Sequence, residues 1–268
     1  MKKALFTSLP AAVLLLTVLS GATTASAQDF IQGVQPAMYN SYGTVSFYES
    51  DEPTPPVDPE NPDPNKPLKP MDPDGTNPNP GTGGTLSIDF ASSFDFGVHK
   101  IENTNQIYLA QAQKYFDTSL ITPDFVQVTD SRGTLGGWVL KVKENSQFRA
   151  VKNVEYNELS GAALSLTSPK VVSNNHDKAP TAHEVINLVP GSEALVMNAN
   201  PGEGAGTWIT RWGNSSDLNY ETTTINGKTT TTPYTKAVTL SVPGATPKDP
   251  VSYKTTLLWI LSDLPTNN

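Results

Sequence analysis

The sequence contains no cysteine, which removes disulfide staples and thiolate metal sites and leaves a packed core as the source of stability. Histidine is scarce: His99, His176 and His183 are the whole supply. None stands at a spacing that serves a catalytic metal or an activated nucleophile. His183-Glu184 lacks the second histidine of a helical zinc motif, and Gly191-Ser192-Glu193 lacks the flanking glycines of a nucleophile elbow. Asn214-Ser215-Ser216-Asp217 offers oxygen atoms without the spacing of a cation loop. No metal or other cofactor is therefore expected. Carboxylates are numerous enough that counting alone leaves room for a glycosidase pair, but nothing in the sequence shows two of them converging. The expectation is a protein that is not an enzyme.

A basic excess and long apolar runs are also missing. Lys2 and Lys3 precede an apolar stretch from Ala11 to Leu19, and Ala25-Ser26-Ala27 supplies small residues for cleavage, so residues 1–27 read as a signal peptide. The apolar stretch is only about half of the ~20 residues that a spanning helix needs. No later segment is long enough either, so no transmembrane segment is expected in the mature chain. Pro265-Thr266 after Leu264 has a faint likeness to a wall-sorting signal, but no apolar segment follows, and covalent anchoring is not expected. Loss of Lys2 and Lys3 takes the formal charge from −8 to −10. Such an acidic chain is a poor partner for nucleic acid or an anionic membrane, both of which select basic patches.

What the sequence does have is proline, concentrated between Asp51 and Gly84 in runs such as Pro53-Thr54-Pro55-Pro56 and Asn61-Pro62-Asp63-Pro64. A stretch short of amide donors and apolar side chains is expected to stay solvated and disordered in polyproline II, spanning up to about 100 Å at 3.1 Å per residue. Residues 51–84 thus read as an acidic linker or loop. Ahead of it, residues 28–50 contain Gly43-Thr44-Val45-Ser46-Phe47-Tyr48, whose alternation predicts a strand. That strand is expected to join the sheet formed after the tract.

Residues 85–268 read as an all-β, antiparallel, sandwich-like domain of many short strands. Strands are predicted at Leu86–Phe90, Ser93–Val98, Phe125–Val128, Gly137–Val142, Leu164–Leu166, Val185–Leu188, Ala194–Asn198, Thr207–Trp212, Ala237–Val242 and Val251–Leu261. Ile107–Lys114 is the one stretch that reads as a turn or two of helix. Two strands carry a tryptophan with a leucine two places on, Trp138-Val139-Leu140 and Trp259-Ile260-Leu261. In each strand the two large residues share a face. They either fill the core or form an aromatic platform for sugar rings, and Tyr253, Trp208 and Trp212 are further candidates for such a surface.

With these residues in place the chain resembles the WxL surface proteins of Gram-positive bacteria. The resemblance rests on the early Gly43–Phe47 strand, the acidic proline tract, Leu86–Phe90 followed by Phe96-Gly97, and Gly137-Trp138-Val139-Leu140-Lys141-Val142. It extends through Gly204-Ala205-Gly206-Thr207-Trp208 to the terminal Tyr253–Pro265 stretch with Trp259-Ile260-Leu261. It implies a secreted protein held non-covalently on the cell wall, through peptidoglycan or another wall glycan, as part of an adhesive or surface complex. Trp138, Leu140, Trp259, Leu261, Tyr253, Trp208 and Trp212 would then be the candidate wall-binding residues, and other WxL-family or anchored surface proteins further partners. The alternative is a structural subunit that an anchored protein recruits, without direct glycan binding, using Leu257–Leu261 or the early strand as its docking edge.

Overall fold

The structure, a computed structural model, describes residues 38–264 apart from Asn226. The predicted signal peptide lies outside these residues. The chain divides into two units, Met1–Ser46 and Phe47–Asn268. The described part of the first unit, and the second unit as far as Ser50, form no strand, and Val45, Phe47 and Tyr48 are exposed. The strand expected over Gly43–Tyr48 is therefore not formed. Alternation supplies the side chains of a strand, but a ladder also needs a neighbouring edge to take the backbone groups.

The second unit is all-β. In chain order its strands are β1 Pro70–Met71, β2 Leu86–Ala91, β3 Gln106–Gln111, β4 Lys114–Tyr115, β5 Phe125–Asp130 and β6 Trp138–Glu144. There follow β7 Arg149–Ala150, β8 Ala163–Leu166, β9 Pro169–Val172, β10 Thr181–Ala182, β11 Val185–Leu188 and β12 Glu193–Ala199. The last are β13 Gly206–Trp212, β14 Asn219–Ile225, β15 Lys228–Val242, β16 Tyr253–Lys254 and β17 Leu257–Asp263. All their pairings are antiparallel. Most predicted strands form, with two corrections. Ser93–Val98 is not a strand, and the stretch read as helical forms β3 and β4. Gln106–Gln111 lies against the long strand β15, whose ladder satisfies its backbone and overrides a weak local preference.

Three sheets build the core. One has the order β10-β12-β6-β17, a second β2-β5-β13-β9, and a third β11-β8-β15-β14 with β3 also on β15. The first two face each other: the Trp212 and Trp259 rings lie 5.9 Å apart, and Thr210 Oγ1 donates to Met197 Sδ at 2.9 Å. The third adds Leu164, Leu166, Val185, Leu188, Val238 and Leu240 to the same apolar cluster.

The proline tract is not a solvated spacer. Val57 and Tyr115, with Leu68 packed against them, form a second cluster with Phe90, Phe125 and Ile209, on the face of the second sheet turned away from the main core. β5 is consequently buried along its whole length on both sides. Two hydrophobic residues among the prolines, Val57 and Leu68, give the tract something to bury, which a count of prolines does not reveal. The few amide groups it keeps are satisfied individually. Gln127, with no exposed surface, accepts from the Val57 amide at 3.0 Å and donates to the Pro55 carbonyl at 3.1 Å and to Asp89 Oδ2 at 2.9 Å. Further along, Leu68 N donates to Pro56 O at 2.8 Å, and Pro70–Met71 pairs with Lys114–Tyr115. The tract is a strap laid over the sheet. Gln127→Ala strips three hydrogen bonds from a buried site, so a loss of about 2–4 kcal/mol is expected. Thermal melts should show that loss, and limited proteolysis should cut the variant first between residues 51 and 70.

Candidate functional site

The two Trp-x-Leu segments lie on neighbouring strands of one sheet, β6 and β17. Their register places Trp138 opposite Asp263, Leu140 opposite Leu261, and Val142 opposite Trp259. Both motifs therefore point to the same face, which is the core side. Trp138, Leu140, Val142 and Trp212 have no exposed surface and Trp208 has 4%. Trp259, Leu261 and Tyr253 are half-buried and pack against the same cluster. Of the two alternatives left open by the sequence, core or platform, Trp138, Leu140, Trp208 and Trp212 take the core. Tyr253 is also committed: its hydroxyl donates to the Tyr156 carbonyl at 2.6 Å and accepts from the Asp249 amide at 2.8 Å.

The Gly204-Ala205-Gly206-Thr207-Trp208 segment gives these indoles their polar partners. Trp138 Nε1 donates to Gly204 O at 3.0 Å and Trp208 Nε1 donates to Ala205 O at 2.8 Å. A buried indole N–H needs such an acceptor, and two consecutive carbonyls supply both. Gly204 sits at φ +75°, and a Cβ there would fall 2.4 Å from the Ala199 Cβ and 2.8 Å from Trp138 Nε1. Only glycine fits. The family to which these motifs point can be decided by the whole sequence: the model for the WxL domain, described as surface cell wall-binding, matches residues 34–265. The chain belongs to the WxL family.

No curated protein and no solved structure matches the chain. The WxL match places this protein at the cell surface, associated with the wall, in a family described by binding and not by catalysis. Among the described residues no helix is long and apolar enough to cross a membrane, and no group of three or more histidine, aspartate or glutamate side chains is placed to hold a metal ion.

Around the WxL pair, Arg132 grips Asp130 with two nitrogens, Nε to Oδ1 at 2.9 Å and Nη2 to Oδ2 at 2.8 Å, and also donates to Gly137 O at 2.9 Å. It ties the end of β5 to the start of β6 just before Trp138. At the other end of β6, Glu144 shares the inward face with Trp138, Leu140 and Val142. It is fully buried, and neither carboxylate oxygen has a hydrogen-bond partner. Burial pushes its carboxyl up to about 7 from an ordinary 4.5. Sequence reasoning missed both groups. Arg132 gives no signal, whereas a glutamate in register with Trp138 and Leu140 is the one polar residue on an apolar stripe.

The solvent side of the same sheet differs in character. Leu258 and Ile260 on β17 stand opposite Lys143 and Lys141 on β6, which stand opposite Glu193 and Leu195 on β12. Leu258 is 46% exposed and Leu195 37%, and Lys141 Nζ pairs with Glu193 Oε2 at 2.9 Å. β17 is the outermost strand of its sheet.

Two outcomes follow. Gly204→Ala is expected to destabilise the fold by about 3 kcal/mol through the close approach and the positive φ, seen as a lowered melting temperature together with altered tryptophan fluorescence. The folded-state pKa of Glu144 is raised, so its share of stability is full below pH 4.5 and is lost as pH rises through about 7. Glu144→Gln should therefore flatten the stability profile across that window and raise the melting temperature at pH 8, measured by denaturant titration at a series of pH values.

Proposed function

We propose that this WxL protein attaches non-covalently to peptidoglycan on a Gram-positive surface, using the solvent side of the sheet whose inner side carries the WxL residues. The observation that carries this reading is the composition of that side: Leu258, Ile260, Leu195 and Val139 alternate with Lys141 and Lys143 on adjacent strands. Glu193 on the same side pairs with Lys141, and Lys143 has no ion pair among the described residues, in a chain of formal net charge −8. Aliphatic side chains suit the C–H faces of sugar rings and the methyl groups of wall peptides, and ammonium groups suit wall carboxylates. On this reading the tryptophans act at one remove. Trp138 and Trp212 hold the sheet rigid from inside, and Trp259 and Leu261 fix β17 against it. Other WxL-family or anchored surface proteins complete the surface complex, and adhesion is the role of the assembly.

A second reading rests on a separate observation, the free edge of β17 from Leu257 to Asp263. An unpaired edge of seven residues is a template for a partner's strand. It makes the chain a subunit recruited by an anchored protein.

Sedimentation of residues 28–268 with peptidoglycan stripped of teichoic acid and protein separates the readings. Wild type is expected in the pellet. Leu258→Glu and Lys143→Glu are each expected to weaken binding about tenfold, or 1.4 kcal/mol, with unchanged melting temperature, whereas Trp138→Ala is expected to lose the fold. Wild type left in the supernatant would remove direct peptidoglycan binding and favour the recruited subunit.

A further inference from the structure

The stretch Met38–Tyr48 leaves six large apolar side chains in solvent: Met38, Tyr39, Tyr42, Val45, Phe47 and Tyr48 are exposed at between 75% and 94%. Elsewhere on the same chain a cleft of mixed polar and apolar lining is open. β10 pairs with β12 only at Asn198 and Met197, followed by His183 N donating to Val196 O. The chain then leaves that sheet and joins the third one as β11, which pairs with β8 alone. A turn at Gly191 returns it to the first sheet as β12. Where the two sheets part, the outer edge of β11 and the side of β12 from Glu193 to Leu195 that faces away from β6 carry no ladder partner. Between them lies a groove of about 400 Å³, with Ile186 and Val189 in its wall at 57% and 60% exposure. A bulge between Val185 and Leu188, with Asn187 at φ +49°, turns Ile186 out of the core and towards this groove.

We propose that the groove receives Gly43–Tyr48 from a second copy of this chain, so that copies join head to tail by strand addition. The two features complement each other in several respects. Six residues of extended chain are enough to cover the four-residue unpaired edge of β11. Val45 and Phe47 fall on one face of the added strand, where they cover Ile186 and Val189. The donor has no proline, so every amide is available to a ladder. It also has no charge until Glu49, so it meets the Glu184 and Glu193 carboxylates at the mouth of the groove without repulsion. Donor and acceptor are different surfaces, hence the contact is heterologous and propagates instead of closing as a two-fold dimer. The inference does not rest on what the WxL sheet binds, although the groove shares Leu195 with the solvent side of that sheet.

The test uses residues 28–268 as wild type, as a donor-defective variant Val45→Asp/Phe47→Asp, and as an acceptor-defective variant Ile186→Asp/Val189→Asp, in sedimentation velocity over a wide range of concentration. All four substituted side chains are solvent-exposed, so unchanged melting temperatures are expected. Wild type should form a concentration-dependent series of species beyond the dimer. Each variant alone should be monomeric, and their equimolar mixture should form a dimer and nothing larger, because it contains one intact donor and one intact acceptor. Ile186→Lys, with the opposite charge, should lose assembly in the same way. A monomeric wild type, a mixture that fails to dimerise, or variants that assemble like wild type would each overturn the proposal.

Discussion

Two antiparallel strands carry their tryptophans to one face of one sheet, and the rest of the molecule is arranged around keeping those indoles dry and hydrogen-bonded. A buried indole offers about as much apolar area as any side chain, but its N–H exacts a penalty if left without an acceptor. Consecutive carbonyls at Gly204 and Ala205 meet that need for Trp138 and Trp208. The glycine is forced by the closeness of Ala199, and Arg132 fixes the strand entry beside it. Trp212 then reaches Trp259 across the two facing sheets and packs edge-on against Phe94 after β2. Family motif and structural keystone are the same residues, and their neighbours in sequence, which alternation sends the other way, form the solvent side of the sheet.

This division explains how much was legible beforehand. A strand with clean alternation such as β6 follows from side-chain pattern alone, since a two-residue period has one structural meaning when a face is buried. The choice between core and platform for the tryptophans did not follow, because both put Trp and Leu on one side of a strand. That choice depends on which sheet lies opposite, a long-range fact. Threonine-rich β14 and the first half of β15 gave no apolar period. They form through each other, with the Thr222 and Thr231 hydroxyls paired at 2.9 Å and those of Thr224 and Thr229 likewise.

The proline tract packs where its composition predicts solvation, for a physical reason. Composition measures the average ability to bury surface, but packing needs only a few side chains at the right points, here Val57 and Leu68. Removing amide hydrogens also lowers the number of backbone donors that a buried strap must satisfy, so proline is suited to lying across a sheet it cannot join. Conversely, Gly43–Tyr48 has every attribute of a strand within itself and no ladder. Local sequence specifies the capacity of a segment, and the availability of an edge decides its state.

The strap has a further consequence for a chain with no cysteine. The contact between Val57 and Gln127 joins residues 70 positions apart, which is the geometry that a disulfide would otherwise close. Constraining so long a loop lowers the entropy of the unfolded ensemble in the same sense, but the closure here is made of hydrogen bonds and buried methyl groups. It needs no oxidant to form and is indifferent to reductant. For a protein of the cell surface, that amounts to a cross-link independent of redox conditions.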